Sequence, residues 1–183
     1  MRVCLNPGHA PGIDPGAVNY EYDVEEASIA LEVARHVQDY LERAGVKVVS
    51  FVQDDDLAYV VDEANSEKVD LFISIHCNAY SSPEPQGTET LVYEKGGRSE
   101  ILAEYIQYQI VSSLGTVDRG VKERPRLYVL NHTNMPAVLV ELAFITNDDD
   151  VQLLIDNKEE FAAAIARGIT DYEIDINQRG WNE

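Results

Sequence analysis

Two histidines, an acidic cluster and one out-of-place glutamate are the side chains with chemistry to offer. His9 lies in the loop Pro7-Gly8-His9-Ala10-Pro11-Gly12, directly after the apolar segment 2–6. His76 closes the near-continuous apolar run that begins at Val69. In open α/β sheets, ligands gather beyond the carboxyl ends of strands, so imidazoles at two such ends can meet. A pair of histidines alone is more commonly two satisfied polar residues than a metal site. The acids Glu21, Asp23, Glu25 and Glu26 add to it. They stand at the start of the first helical segment, which a strand-to-strand crossover carries to the same edge of the sheet. One carboxylate there completes a His2Glu set with a position open for water, whose pKa such a metal lowers toward ~7. The other acids complement the positive end of the helix dipole.

Glu141 interrupts Val138-Leu139-Val140-Glu141-Leu142-Ala143-Phe144, a segment otherwise continuously apolar. An ionised carboxylate buried in such a strand costs several kcal/mol unless it is paired, so its presence needs a reason. Facing an attacking water and acting as acid and base is one reason, and a structural Arg partner is the other. Arg119, Lys122, Arg124 and Arg126 form a basic stretch just before that strand. Arg matches the planar geometry of a carboxylate, so the stretch suits an acidic substrate; equally, it is a solvated loop offsetting an acidic chain. His36 is ten residues past Glu26, off its helical face at ~100° per residue. His36 and His132 are read as ordinary surface or loop residues.

The elements that must position these groups follow from periodicity and breakers. Segment 2–6 reads as a buried strand, and the Pro- and Gly-rich stretch 7–16 as a loop. Ile29, Leu31, Val33, Val37 and Leu41 fit a helix over about 24–44 that Gly45 stops. Strands are predicted at 46–51, 69–76, 87–93, 126–130 and 137–143. Helices are predicted at 56–68, 98–114, after Asn147, and at 159–172. This alternation predicts a single α/β domain, a mixed sheet of about six strands flanked by helices on both faces. The catalytic domain is placed at residues 1–172, with 173–183 as an extended tail or the start of a linker because no periodic apolar face is evident there.

The 183-residue length suits one well-cored domain burying roughly 70% of its unfolded surface. With 33 acidic against 14 basic residues, the net charge of −19 argues against nucleic acid or an anionic membrane as partner. Cys4 and Cys77 sit inside apolar runs and are expected to be buried free thiols rather than a disulfide. The start of the chain carries no signal-peptide core, and no stretch reaches the ~20 apolar residues of a membrane span.

These residues resemble the zinc-dependent N-acetylmuramoyl-L-alanine amidases of bacterial autolysins and phage endolysins. The resemblance runs from residue 2 to about 170. It rests on Asn6-Pro7-Gly8-His9, Asp14-Pro15-Gly16-Ala17, Ser74-Ile75-His76-Cys77-Asn78-Ala79 and Met135-Pro136-Ala137-Val138-Leu139-Val140-Glu141, followed by Phe144-Ile145-Thr146-Asn147. Carried over residue by residue, it implies one Zn2+ per chain held by His9, His76 and a glutamate, with Glu141 catalytic. Counting back from Gly45 selects Glu26 as the third ligand, and Glu21 is the alternative. Asn78 joins Arg119, Lys122, Arg124 and Arg126 as a substrate-binding candidate. The substrate implied is peptidoglycan, cut at the amide between the lactyl group of N-acetylmuramic acid and L-alanine. The resemblance also implies action at the bacterial cell wall, reached by another export route or as one domain of a longer chain. A metallopeptidase on another substrate, or a non-catalytic wall-binding module, would need different pocket walls or a damaged residue set.

Overall fold

The computed structural model describes residues 1–180. Two-residue periodicity sorts each strand's side chains onto opposite faces and so sets the layers. The chain runs β1 (Arg2–Pro7), β2 (Val18–Asn19), β3 (Val24–Glu25), α1 (Glu26–Arg43), β4 (Lys47–Phe51), α2 (Leu57–Ser66) and β5 (Leu71–Asn78). It continues with β6 (Thr88–Val92), α3 (Arg98–Leu114), β7 (Asp118–Glu123), α4 (Tyr128–Asn131), β8 (Ala137–Phe144), α5 (Asp148–Asp156) and α6 (Lys158–Arg179). The main sheet has six strands in the order β4-β1-β5-β8-β6-β7. Strands β4, β1, β5 and β8 are mutually parallel, β6 runs antiparallel to β8, and β7 is parallel to β6.

On one face, Val3 and Leu5 of β1, Ile73 and Ile75 of β5, and Val138, Val140 and Leu142 of β8 pack under α1, α3 and α6. Those helices contribute Ile29, Val33, Val37, Leu102, Ile106, Phe161, Ile165 and Ile169. Burying each such side chain is worth ~1.5–3 kcal/mol, so this layer carries most of the stability. Gly168 lets α6 approach α3 closely, because a Cβ there would stand 2.6 Å from the Ile106 Cα. The opposite face presents Cys4, Phe72, Leu91 and Leu139 to Val60, Val61 and Ala64 of α2 and to Val129 and Leu130 of α4. α2 and α4 are short and cover only part of it. Asn6, Ser74, His76, Glu89 and Glu141 share the two-residue spacing of this second face.

The predicted α/β architecture, with helices on both faces, is the one observed, but two segments, 118–130 and 173–179, differ from expectation. The sixth strand is β7, Asp118–Glu123, and the residues expected to form it, 126–130, instead enter the short helix α4. β7 is an edge strand paired only with β6 and half-exposed. It therefore needs no apolar alternation, and its Gly120 and charged residues read as loop. Pro125 lacks the N–H that a ladder requires, which ends the strand before it. Residues 173–179 also differ: they continue α6 to Arg179 rather than forming an extended tail. Ile176, one turn beyond the buried Tyr172, is itself buried and keeps the last turn on the core. Residues 181–183 of the predicted tail lie outside the described residues.

Asp56 and Asn147 cap α2 and α5 through their side chains. Cys4 and Cys77 are buried free thiols, and burial pushes the Cys4 thiol up to about 11. No helix among the described residues is long and apolar enough to cross a membrane.

Candidate active site

His9 follows directly on β1, and its backbone adopts φ 59°, a left-handed conformation that costs a non-glycine residue on the order of 1 kcal/mol. The surrounding loop over-determines it. The Gly8 N–H bonds the Ile75 carbonyl at 2.8 Å, and Ala10 and Asp14 form a β-bridge. Gln53 Nε2 donates to the carbonyls of Gly8 and Ala27, tying the loop to α1. Asp14 Oδ2 meets His9 Nδ1 at 2.7 Å while Asp14 Oδ1 accepts from the Gly16 N–H. The imidazole is thereby fixed with Nε2 facing inward, 3.2 Å from Glu26 Oε2.

Glu26 opens α1 and is buried. Its Oε1 lies 2.8 Å from His76 Nδ1 and accepts the Cys77 N–H, and its Oε2 accepts the Ala17 N–H. Glu21, the alternative ligand, is exposed on the β2–β3 turn, so the side chain converging with the two histidines is that of Glu26. His76 is further backed by Ser74 Oγ at 3.1 Å, and Ser74 in turn donates to buried Asn6. Ligand-capable atoms of His9, Glu26 and His76 all lie within 4.8 Å of one another, a group compact enough for a single ion.

Two glycines make this convergence possible. A Cβ on Gly8 would lie 2.2 Å from His76 Cε1, and one on Gly16 would lie 2.6 Å from His9 Cδ2 and 2.7 Å from Glu26 Oε2. Electrostatics agree with a site arranged around positive charge. Burial pushes the Glu26 carboxyl up, but hydrogen bonds to His76 and His9 outweigh it and hold the group well below the carboxylate range. The hydrogen bond to Glu26 raises His9 to about 9, against burial and with help from Asp14. The donor set is one carboxylate and two imidazoles whose other contacts fix their orientation, the arrangement that suits a catalytic zinc.

Glu141 pairs in register with His76 on β5 and with Glu89 on β6. Its Oε2 is buried without a hydrogen-bond partner, the orphaned acceptor beside the His-Glu-His group. Burial raises its pKa to about 7, with Glu26 and Glu89 adding to the rise and His76 opposing it. A groove of about 230 Å³ runs beside His9 and His76, lined also by Asp54, Asp55, Leu127 and Tyr128.

The remaining predicted residues are spread out. Asn78 ends β5, and its side chain accepts the Ala79 N–H. Arg119 and Lys122 lie on β7, not on a loop, and both bond Glu89. Arg124 and Arg126 are exposed past the end of β7. Asp14, Ser74 and Glu89 had no role in the sequence reading. Glu89 was findable, since it interrupts Thr88-Glu89-Thr90-Leu91-Val92 much as Glu141 interrupts its own strand.

A mixed α/β sheet carrying a compact His-Glu-His group and, beside it, a carboxylate whose Oε2 is buried and partnerless has the layout of a hydrolase site. Residues 3–171 match the N-acetylmuramoyl-L-alanine amidase family, and the chain belongs to that family. It is 38% identical over 178 residues to N-acetylmuramoyl-L-alanine amidase LytC of Bacillus subtilis, spanning 93% of this chain but 35% of LytC. It is 31% identical to the germination-specific N-acetylmuramoyl-L-alanine amidase of the same organism, over 93% of this chain and 78% of the relative. Among solved structures, an N-acetylmuramoyl-L-alanine amidase from Clostridium difficile 630 superposes with a TM-score of 0.87 at 30% identity, covering 94% and 96% of the two chains.

Proposed function

We propose that this chain hydrolyses the amide between the lactyl group of N-acetylmuramic acid and L-alanine of the peptidoglycan stem. His9, Glu26 and His76 would hold one zinc, and Glu141 would serve as acid and base. The observation that carries the reading is the juxtaposition of the orphaned Glu141 Oε2 with the His-Glu-His group. When bound, zinc supplies Lewis-acid chemistry, easing deprotonation of water and polarising the amide carbonyl.

The chain's own residues do the rest. Glu141 takes a proton from the attacking water as its oxygen bonds the carbonyl carbon. The carboxyl then delivers that proton to the alanine nitrogen as the carbon–nitrogen bond breaks. A group raised to about 7 is matched to both halves of this exchange near neutral pH. Asp14 keeps the His9 ring in one orientation, and Ser74 does the same for His76. Asn78, Arg119, Lys122, Arg124 and Arg126 would serve as binding residues for the stem. The match to wall amidases and to the endolysin of Bacillus phage SPP1, 36% identical over 177 residues, supports action at the cell wall.

The test is release of L-alanine amino groups from purified peptidoglycan, with ordinary peptides as comparison and bound zinc quantified. Wild type is expected to carry one zinc and open the muramyl amide, and Glu26→Gln to lose both zinc and activity. A wild-type protein that binds no zinc, or that cuts ordinary peptides and leaves the muramyl amide intact, would overturn the assignment.

A further inference from the structure

Next to Glu141 stands a charged group that the proposed chemistry does not use. Glu89 is 5% exposed and pairs in register with Glu141 across β6 and β8. Its Oε2 accepts from Arg119 Nε at 2.7 Å and from Lys122 Nζ. The Arg119 guanidinium lies 4.8 Å over the Phe144 ring, and its Nη1 reaches the Gln86 carbonyl at 3.4 Å. Ring and carboxylate together hold the planar group in one orientation.

Two cations share the Glu89 carboxylate, in a chain whose net charge is −19. One cation would suffice to neutralise Glu89. The side chains of Arg119 and Lys122 are 30% and 32% exposed, so both present donors to solvent beside the site. Arg124 and Arg126 do not converge on Glu89, and Arg124 Nη1 bonds the Glu123 carbonyl instead.

We propose that Arg119 and Lys122, aimed by Glu89 as a positioning residue, form a specificity subsite for a free carboxylate on the stem peptide, so that an acidic stem is cut in preference to an amidated one. The proposal rests on the amidase reading above and names what its substrate must carry. Adjacent strands lie about 4.8 Å apart, which puts the two cationic groups, drawn over β6, about 5 Å from the strand of Glu141 and about 10 Å from that of His76. An extended peptide advances ~3.3–3.6 Å per residue. The carboxylate read there belongs one or two residues beyond the scissile amide. Charge-assisted hydrogen bonds from a fixed guanidinium and an ammonium favour a carboxylate over the neutral, donor-bearing carboxamide.

Steady-state kinetics on two soluble muropeptides that differ only in a carboxylate or carboxamide on the second stem residue provide the test. Wild type is expected to favour the carboxylate in kcat/KM by about ten- to a hundredfold, chiefly through KM. Lys122→Met and Arg119→Gln should each bring the ratio below about threefold. Glu89→Gln should lower it too by releasing both cations, whereas Arg35→Gln, which removes a like charge from the exposed side of α1, should leave the ratio as it is. Should a variant fail to fold, calorimetric binding of L-alanyl-D-isoglutamate against L-alanyl-D-isoglutamine to zinc-loaded wild type gives the same answer without turnover. Equal rates and equal binding for the two members of each pair overturn the subsite and leave the amidase reading intact. Failure of zinc-loaded wild type to cut either muropeptide overturns the amidase reading, and the dipeptide binding then decides the subsite by itself.

Discussion

Replacing Glu141 by Gln should inactivate the protein and at the same time make its metal-free form more stable above neutral pH. Burial displaces the Glu141 pKa from 4.5 to about 7, which corresponds to about 3 kcal/mol at ~1.36 kcal/mol per unit. Between those two values the folded state keeps its proton while the unfolded state loses it. Wild-type stability therefore falls as pH rises through this window, and the full cost is present above about 7. Glutamine removes the charge without changing the shape, so the variant's advantage should be small at pH 5 and about 1–3 kcal/mol at pH 8. For a chain of this length that is a rise in Tm of about 3–10 °C. The assay is thermal unfolding of chelator-treated wild type and Glu141→Gln at both pH values, with zinc affinity and muropeptide cleavage measured on the reloaded proteins. Cleavage should drop about 10²–10⁴-fold with zinc retained. A stability difference that does not change between pH 5 and 8 would refute the argument that Glu141 is a buried carboxylate without a partner.

Removing the orienting carboxylate with Asp14→Ala frees the His9 ring, and zinc affinity measured by competition with a chelator should weaken about 10–100-fold. Gly168→Ala places a methyl 2.6 Å from the Ile106 Cα, forcing α6 from α3. Denaturant unfolding should show a loss of about 1–3 kcal/mol.

Where a residue broke a strong local pattern, the sequence was legible. His9 and His76 stood at the ends of apolar strands, and Glu141 stood inside one, so their neighbourhood followed from strand order. Counting back from Gly45 selected Glu26 over Glu21, and Glu26 is the acid that folding brings beside the histidines. The β2–β3 hairpin turns Glu21 outward, while the first turn of α1 aims Glu26 at the histidines. β7 was not legible because an edge strand with one partner and half-exposed residues needs no apolar repeat. Its neighbour α4, with Val129 and Leu130 buried, carried the β-prone apolar residues that a strand would show. The end of α6 was missed because a single residue, Ile176, continues its buried stripe past Tyr172. Asp14 sat in a quoted motif, but its role depends on a five-residue loop closure that no periodicity encodes.

The reversal of strand direction between β8 and β6 brings chain segments of opposite sense to one rim of the sheet. β1, β4, β5 and β8 finish there, and β6 begins there. The connections 8–17, 52–56, 79–87 and 145–147 therefore all meet the rim that carries the candidate active site, and of the core helices α1 starts there with Glu26. Such a plan separates parts that can be exchanged from parts that cannot. Lengthening the connection 79–87, unlike 8–17 with its His9 and Asp14, would reshape the walls around His9, His76 and Glu141 without replacing a side chain of that group. For protein engineering, this rim is the place to graft new substrate preferences.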